Sequence, residues 1–308
     1  MKQFSKLVKR NVKIFFKDKG LFFTSLITPL ILLVLYGTFL GKIFQDSYVA
    51  NIPAGIEVSE KIISGLVSGQ LFASILSVSC VTVAFCSNML MVQDKISGVR
   101  NDLLIAPIKK YKLALSYFAA TFINTLLVCV FACIICFGYS AIVGWYFSFV
   151  DVLIILADVV LLTLFGTLLA SIVNHFLRSQ GQISAVGTIV SSVYGFISGA
   201  YMPIASFGAG LQKVLMFFPS TYGTSLIKNH TMRGALSALS KTGVPSEVIT
   251  GIKDFNDLNL SFFGNNVSIG VMYGVIAGTV ALLLGIYILI NTIKIKKNNN
   301  KSIIKDKK

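Results

Sequence analysis

Charged residues are scarce in this sequence, and their scarcity excludes an ordinary water-soluble fold. Only 13% of the 308 residues are charged, whereas 55% are hydrophobic, and the mean hydropathy is +0.80. In soluble domains about a quarter of the residues are charged, so most of this surface must face something other than water. The chain is therefore predicted to lie in a membrane.

Three further absences exclude classes of function. No phosphate-binding loop of the form Gly-x4-Gly-Lys-Ser/Thr occurs, so no nucleotide site is recognisable. The only histidines, His175 and His230, fall in segments predicted on opposite sides of the membrane, so a shared metal or acid–base site is not expected. No cleavage site follows the first apolar run, which is expected to remain as an anchor. We predict no catalytic residue, no metal site and no cofactor held by this chain.

All five cysteines lie inside apolar segments, where cysteine behaves as a small hydrophobic residue. They are Cys80, Cys86, Cys129, Cys133 and Cys136. None lies in a loop, so the disulfide framework of a secreted protein is not indicated. The last three share one helical face, which leaves a soft-metal site as an alternative. No histidine or carboxylate accompanies them, and packing is the favoured interpretation.

Six segments are apolar enough to be transmembrane helices, because a span needs about 20 mostly apolar residues. Backbone groups in lipid must be hydrogen-bonded within the segment. We therefore predict an all-α, polytopic membrane protein with a single domain over residues 1–308. The spans are predicted at residues 21–41, 69–92, 113–137, 152–173, 183–204 and 269–293.

The basic residues indicate how these spans are oriented. The 27 Lys and Arg residues give a formal net charge of +15, but they cluster between apolar runs, which favours membrane topology over nucleic-acid binding. Residues 1–20 contain seven of them, residues 93–112 five, and residues 294–308 seven. Because loops rich in Lys and Arg stay inside, both termini and residues 93–112 are predicted to be cytoplasmic.

Three segments outside the spans have their own patterns. Residues 1–20 combine apolar and basic residues at helical spacing, which predicts an amphipathic helix on anionic lipid headgroups; a simple orientation signal is the alternative. Residues 206–268 are partly apolar and contain the helix start Pro-Ser-Glu, so we predict re-entrant or interfacial helices on the outer side. Residues 294–308 are predicted to be a solvated basic tail.

Polar residues within the spans are candidates for a translocation path. Asp158 lies near mid-bilayer, where a charged aspartate costs about 2.5–3.5 kcal/mol, so it needs a partner, water or a proton. Proton coupling, contact with a cationic substrate and a hydrogen bond between helices all remain open for it. The other candidates are Gln70, Ser74, Ser77 and Asn124, for which interhelical hydrogen bonds are the alternative.

Small residues recur every four positions in the last two spans. Such stripes let helices approach closely. They comprise Gly187, Ser191, Gly195 and Gly199 in the fifth span, and Gly270, Gly274 and Gly278 in the sixth. Packing within one chain and contact with a second subunit are equally open.

The loop between the second and third spans carries the most informative motif. It reads DKISGVRNDLLIAP, with Asp94, Lys95, Gly98, Leu103, Leu104 and Pro107 at characteristic positions. This pattern resembles the cytoplasmic loop of ABC-2 type transporter permeases, the membrane subunits of bacterial ABC exporters. Ile96 and Val99 replace an acid and a threonine that the family usually has, so fewer ion pairs are expected there.

A second motif follows the fifth span. The segment SGAYMPIASFGAGLQKVLMFFPSTYGTSLIK resembles the family's Ser-Gly-x3-Pro and later Pro-x-x-Tyr at its outer gate. These positions are held by Ser198, Gly199, Pro203, Pro219 and Tyr222. Lys228 stands near the family's usual arginine. The resemblance covers nearly the whole chain, including the N-terminal interfacial helix.

The resemblance implies that ATP and Mg²⁺ belong to a separate ABC ATP-binding subunit, two of which work with two permease chains, either identical or sisters. A short coupling helix would carry the closure of the ATPases into the spans. Leu103, Leu104 and Ile105 would supply its apolar contacts, Asp94, Arg100 and Asp102 its charged edges, and Pro107 its end. The alternative is that the loop only sets topology.

The sequence therefore predicts a permease subunit of an ATP-driven exporter for a drug, a peptide, a lipid or another amphipathic substrate, and not an enzyme. A lipid-linked glycan exporter of the same family is one alternative. A proton- or ion-coupled carrier centred on Asp158 is another. A composition rich in Lys, Asn, Ile and Phe, together with the resemblance, places the chain in a bacterial plasma membrane.

Overall fold

The computed structural model describes residues 2–53, 55–105 and 108–305, and over these residues the chain is almost entirely helical. The all-α prediction is confirmed. The helices are α1 (Lys2–Lys17), α2 (Lys19–Leu35), α3 (Gly41–Ala50), α4 (Glu60–Ile96), α5 (Val99–Ile105), α6 (Lys110–Val143), α7 (Phe149–Phe176), α8 (Gln180–Ile197), α9 (Ala209–Leu215), α10 (Pro219–Ser240), α11 (Ser246–Phe255) and α12 (Ile269–Lys305). Pro107, predicted to end the coupling helix, lies outside the described residues.

One small hairpin interrupts the helical pattern. Strand β1 (Leu260–Phe262) pairs antiparallel with β2 (Asn265–Val267), and Leu260 lies opposite Val267. Gly264 in the connecting turn has a φ of +86°, a conformation that glycine adopts without steric cost.

Five helical segments among the described residues are long and apolar enough to cross a membrane. They are Lys19–Ala50, Glu60–Ile96, Lys110–Val143, Phe149–Phe176 and Ile269–Thr292. The first joins α2 to α3 through a π-helical turn at Tyr36–Leu40. These segments correspond to five of the six predicted spans, the last of them to within one residue.

The fifth predicted span, 183–204, differs from the structure at its end. Helix α8 has 18 residues and stops at Ile197, and the chain then turns through Gly199, whose φ is +72°. Polar and small residues also make α8 less apolar than the five long segments. The count of six spans thus stays a prediction, whereas the polytopic helical architecture is observed.

Helix α4 is the centre of the bundle. It is buried along almost its whole length, and α2, α6, α7, α8 and α10 pack around it. Helix α4 carries polar side chains along its length, among them Gln70 and Asn88, and these are buried between helices rather than exposed to lipid. Glycine sets the closest approach to α10, since a Cβ at Gly69 would lie 2.7 Å from the carbonyl oxygen of Thr231.

The bundle has two ends, which we name by their contents. The basic end holds α1, the last turns of α4, α5, the start of α6 and the end of α7. There a core cluster joins Leu7, Leu90, Met91, Leu113 and Tyr117. The hairpin end holds α3, the start of α4, the end of α10, α11 and the β-hairpin. There Tyr48 of α3 donates a hydrogen bond of 2.8 Å to Asn256, which follows α11.

Helix α1 has the predicted amphipathic form. Its buried stripe is Leu7, Asn11 and Phe15, spaced four residues apart. Its lysines at positions 6, 9, 13 and 17 are exposed. Asp18 separates α1 from α2 and caps the second helix, because its carboxylate accepts a hydrogen bond of 3.1 Å from the Leu21 N–H.

The two predicted small-residue stripes have different surroundings. On α8, Gly187 lies against the Met89 side chain, and Gly195 lies against the ring of Tyr201, whose hydroxyl donates to the Ser191 carbonyl at 3.0 Å. The α8 stripe therefore packs largely within the chain. On α12, the positions Gly270, Gly274 and Gly278 have no described atom within 4 Å of an added Cβ.

All five cysteines are buried, as their apolar segments predicted. The sulfur atoms of Cys80 and Cys129 lie 3.8 Å apart across α4 and α6. Over the described ranges, no group of three or more His, Cys, Asp or Glu side chains is arranged to hold a metal ion.

Candidate functional site

The predicted coupling segment begins where α4 ends at the basic end. Gly98 has a φ of +86°, a left-handed conformation that side chains disfavour, so glycine lets the chain reverse sharply here. The Gly98 carbonyl then accepts a hydrogen bond of 2.7 Å from the Asn101 N–H, which starts α5. This short helix is thereby set off from α4 as a separate element.

The apolar residues of α5 divide into two groups. Leu103 and Leu104 are half-buried and pack against the core cluster of the basic end. Ile105 is 84% exposed, and Asp102 is also exposed, while Arg100 is half-buried. The two leucines therefore anchor α5 to its own chain, and Ile105 presents the most exposed apolar side chain of α5.

Asp94 does not form a charged edge of α5, which corrects the sequence interpretation. It is buried, and the Arg10 guanidinium donates to its carboxylate at 2.7 and 3.2 Å. The Tyr117 hydroxyl donates to the same carboxylate at 2.5 Å. This hydrogen bond with Asp94 raises the pKa of Arg10 above its ordinary value. Asp94 thus joins α1, α4 and α6.

Lys95 of α4 contacts the C-terminal end of α7. Its ammonium donates to the backbone carbonyls of Leu177 at 2.6 Å and His175 at 3.3 Å. A cation at the C-terminus of a helix satisfies carbonyls that have no partner within the helix. Lys95 therefore holds the end of α7 beside the end of α4, at the base of the coupling segment.

Asp158 is fully buried in a three-helix junction. Its Oδ2 lies 2.6 Å from Nδ1 of His230 on α10, and its Oδ1 accepts a hydrogen bond of 2.5 Å from the Tyr273 hydroxyl on α12. Both oxygens of the carboxylate are engaged. Of the three roles left open for Asp158, a hydrogen bond between helices is the one that matches these contacts.

The other four candidate path residues are also buried between helices of one chain. Ser74 lies 3.3 Å from the Tyr36 hydroxyl, and Asn124 donates to the Ser87 hydroxyl at 2.8 Å. Ser77 donates to the carbonyl of Ala73 in its own helix at 2.6 Å. Gln70 is fully buried in α4. None of these side chains is more than 1% exposed, so they do not line an open path in this conformation.

The structure brings the two halves of the second motif together. Ser198 and Pro203 are buried in the turn after α8, and Pro219 is the first residue of α10, where a missing N–H costs nothing. The Tyr222 hydroxyl donates to the Met216 carbonyl at 2.7 Å. Thr221 donates to the Ile197 carbonyl at 3.2 Å, which joins α10 to the end of α8.

A buried ion pair fixes this turn, and sequence reasoning missed it. The Lys228 ammonium donates to the Asp257 carboxylate at 3.0 Å and to the Gly199 carbonyl at 2.9 Å. Asp257 also accepts from the N–H groups of Ile204 and Ala205, at 2.8 and 3.0 Å. Lys228 stood near a motif, but nothing in the sequence marked Asp257 as its partner.

Sequence reasoning also missed a stripe of hydroxyls on the open face of α8. Ser184, Thr188 and Ser192 are exposed and recur every four residues. Thr188 and Ser192 donate to the helix carbonyls of Ser184 and Thr188, at 2.9 and 2.7 Å. These back-bonds leave polar oxygen atoms on the surface of an otherwise apolar helix. Their regular spacing was the signal that could have identified them.

Comparison with known proteins agrees with this architecture. The family model for the ABC-2 type transporter matches residues 2–229, which include α5, the turn after α8 and the start of α10. No curated protein and no solved structure matches the chain. The chain belongs to the ABC-2 type transporter family and is a membrane permease subunit of an ABC transporter, a subunit that works with an ABC ATP-binding partner.

Proposed function

We propose that this permease belongs to an exporter that moves a drug, a peptide, a lipid or another amphipathic substrate out of a bacterial cell. The ATP-binding subunit holds and hydrolyses ATP with Mg²⁺, and the chain described here supplies the membrane pathway. The permease lies in the plasma membrane. Its basic end, with α1 and α5, faces the cytoplasm, as the lysine-rich segments favour. Both termini lie on that side.

The observation that carries this proposal is the form of α5. It is a short helix with one fully presented apolar side chain, Ile105, and an exposed acid, Asp102. Its base is held by Leu103 and Leu104, and the adjoining end of α4 is held by Lys95. A rigid base with an exposed apolar tip suits an element that must transmit movement from a partner to the spans.

The open faces of α2 and α8 support pairing with a second permease, either a copy or a sister chain. Both helices pack against α4 on one side. On the other side α2 exposes large apolar residues, among them Phe23, Ile27 and Ile31 at 50–60%. Two α8 helices facing each other would enclose the hydroxyls of Ser184 and Thr188. Such a path would pass between subunits rather than through the buried polar residues of one chain.

The test is purification of the tagged full chain together with a candidate ABC ATP-binding subunit from the same cell. We expect the two to copurify from the membrane, with uptake of a fluorescent amphipathic dye into inside-out vesicles, which corresponds to export from the cell, only when both subunits and ATP are present. Stable transport by this chain alone, unaffected by ATP depletion, would contradict the proposal. So would dye movement in the importing direction.

A further inference from the structure

An apolar groove of about 430 Å³ opens on the side of the bundle and runs from α1 to the middle of the membrane-spanning helices. Helices α2, α4 and α6 form it, and Phe16 of α1 lies at one end. Its open rim includes Leu30, Leu127, Phe131 and Ile135, which are 47–63% exposed.

The groove offers almost nothing to a polar ligand. Among its described lining residues Ser79 is the one polar side chain, and its hydroxyl already donates to the Ile75 carbonyl at 2.5 Å. In a membrane protein such a groove is in contact with acyl chains, which are as apolar as its walls. Its occupant should therefore be a hydrocarbon chain rather than a polar solute.

The groove is about as long as the hydrocarbon layer of one leaflet is thick. Its wall on α2 runs from Phe22 to Leu33, a distance of about 16 Å along a helix. Half of the hydrocarbon thickness of a bilayer is about 15 Å. A lipid whose headgroup lies at α1 could thus place one acyl chain along the whole groove.

Positive charge beside the groove favours an anionic lipid headgroup. Lys13 and Lys17 flank Phe16 on α1, Lys19 follows in the first turn of α2, and all three are exposed. The one acid among them, Asp18, is engaged in capping α2. Clustered lysines at the membrane interface attract anionic lipids.

The corner that holds these lysines is fixed relative to the groove. The rings of Phe15 and Phe16 pack on Phe22, at centroid distances of 6.1 and 5.7 Å. Arg10 ties the preceding turn of α1 to Asp94. The positive charges and the apolar groove therefore belong to one preformed surface rather than to a helix that moves freely on the membrane.

We propose that this surface is a binding site for one anionic phospholipid, with its phosphate on Lys13, Lys17 and Lys19 and one acyl chain in the groove between α2 and α6. The site is separate from the proposed path between subunits. It requires only that the chain lies in a membrane, so its failure would leave the exporter proposal untouched.

The test uses the delipidated full chain in neutral detergent, titrated with phosphatidylglycerol or with phosphatidylcholine of the same acyl chains. Native mass spectrometry counts the bound lipids, and thermal unfolding reports the stabilisation that specific binding gives. We expect one tightly bound phosphatidylglycerol per chain and a higher Tm. Phosphatidylcholine should bind at least about tenfold more weakly, because it lacks the net negative charge.

Two pairs of variants separate the parts of the site. K13Q/K17Q should remove the preference for phosphatidylglycerol, whereas K6Q/K9Q, with the same loss of charge on the same helix, should keep it. Ala132→Trp should fill the groove and abolish one-to-one binding, while Ile134→Trp, which points away from the groove, should not. Each variant is first required to show the wild-type Tm without added lipid, and Ala132→Leu replaces Ala132→Trp if that variant fails.

Three results would overturn the proposal. Equal losses in the two lysine pairs would show diffuse attraction to the membrane surface rather than a site. The absence of a one-to-one phosphatidylglycerol complex would exclude the site directly. Binding of an amphipathic dye that Ala132→Trp abolishes, with lipid binding unchanged, would assign the groove to a substrate instead.

Discussion

The carboxylate of Asp158 lies 2.6 Å from Nδ1 of His230, although 72 residues separate them in the sequence. The Tyr273 hydroxyl on α12 donates a hydrogen bond of 2.5 Å to the other oxygen of this carboxylate. Helices α7, α10 and α12 therefore meet at Asp158. A carboxylate with both oxygens occupied is suited to holding helices together. Because the carboxylate is fully buried, a substrate does not reach it in this arrangement of the helices.

We therefore expect Asp158→Asn to lower the Tm but to retain ATP-dependent transport, because the amide can still hydrogen-bond to both neighbours. Asp158→Leu should cost about 3–5 kcal/mol, since it leaves two buried polar groups without their partner. Thermal unfolding and ATP-dependent dye uptake into inside-out vesicles measure the two effects. Loss of transport in Asp158→Asn at an unchanged Tm would instead support the proton- or ion-coupled carrier.

Replacement of Ile105 separates docking from folding. Ile105→Asp should weaken association with the ATP-binding subunit by about tenfold or more, because truncation of a central apolar contact typically costs over 1 kcal/mol. The Tm of the Ile105→Asp permease should stay near the wild-type value, since the Ile105 side chain is exposed. Binding is measured by copurification at graded salt and by ATPase activity of the complex.

Leu103→Asp is the matched comparison for Ile105→Asp. A charge there lies against the core cluster at the basic end, so this variant should lower the Tm of the permease itself. If Leu103→Asp weakens the complex while Ile105→Asp does not, the apolar contact belongs to the leucines and our assignment of Ile105 is wrong.

Lys228→Met should destabilise the turn after α8. The substitution leaves the buried Asp257 carboxylate without its cation, which costs about 3–5 kcal/mol in comparable buried pairs. Lys241→Met, at the exposed end of the same helix, should change stability by no more than about 0.5 kcal/mol. Denaturant titration of the purified chain compares the two, and equal effects would show that the pair contributes little.

Glycine positions should differ sharply in their tolerance of alanine. A Cβ at Gly166 would overlap the backbone carbonyl of Cys80 on α4, so Gly166→Ala should destabilise the bundle by about 1–3 kcal/mol. Gly274→Ala meets open space and should not lower the stability of a single chain; the better helix propensity of alanine should raise it by up to about 1 kcal/mol.

A larger side chain at Gly274 then tests where two permeases meet. Gly274→Leu should leave the dimer intact if the chains pair through α2 and α8, as proposed. Crosslinking and light scattering in detergent report the oligomeric state. Loss of the dimer in Gly274→Leu would move the subunit contact to the open stripe of α12.

The sequence by itself determined the membrane class, the helical fold and the family. Each of these is a local property of the chain. An apolar run of about 20 residues must form a helix in lipid whatever surrounds it, because its backbone is satisfied within the segment. The two motifs likewise depend on short spacings, so their order along the chain could be read directly.

Only the tertiary structure decided which side chains meet. Asp94 was predicted at the edge of a docking helix, but Arg10, 84 residues away, lies beside it and buries it in the bundle. Leu103 and Leu104 face their own chain, and Ile105 faces outward, a distinction that three consecutive apolar residues do not reveal. The physical reason is the same throughout: helical periodicity fixes the face on which a residue lies, whereas its partner depends on which helices pack together, and at what depth.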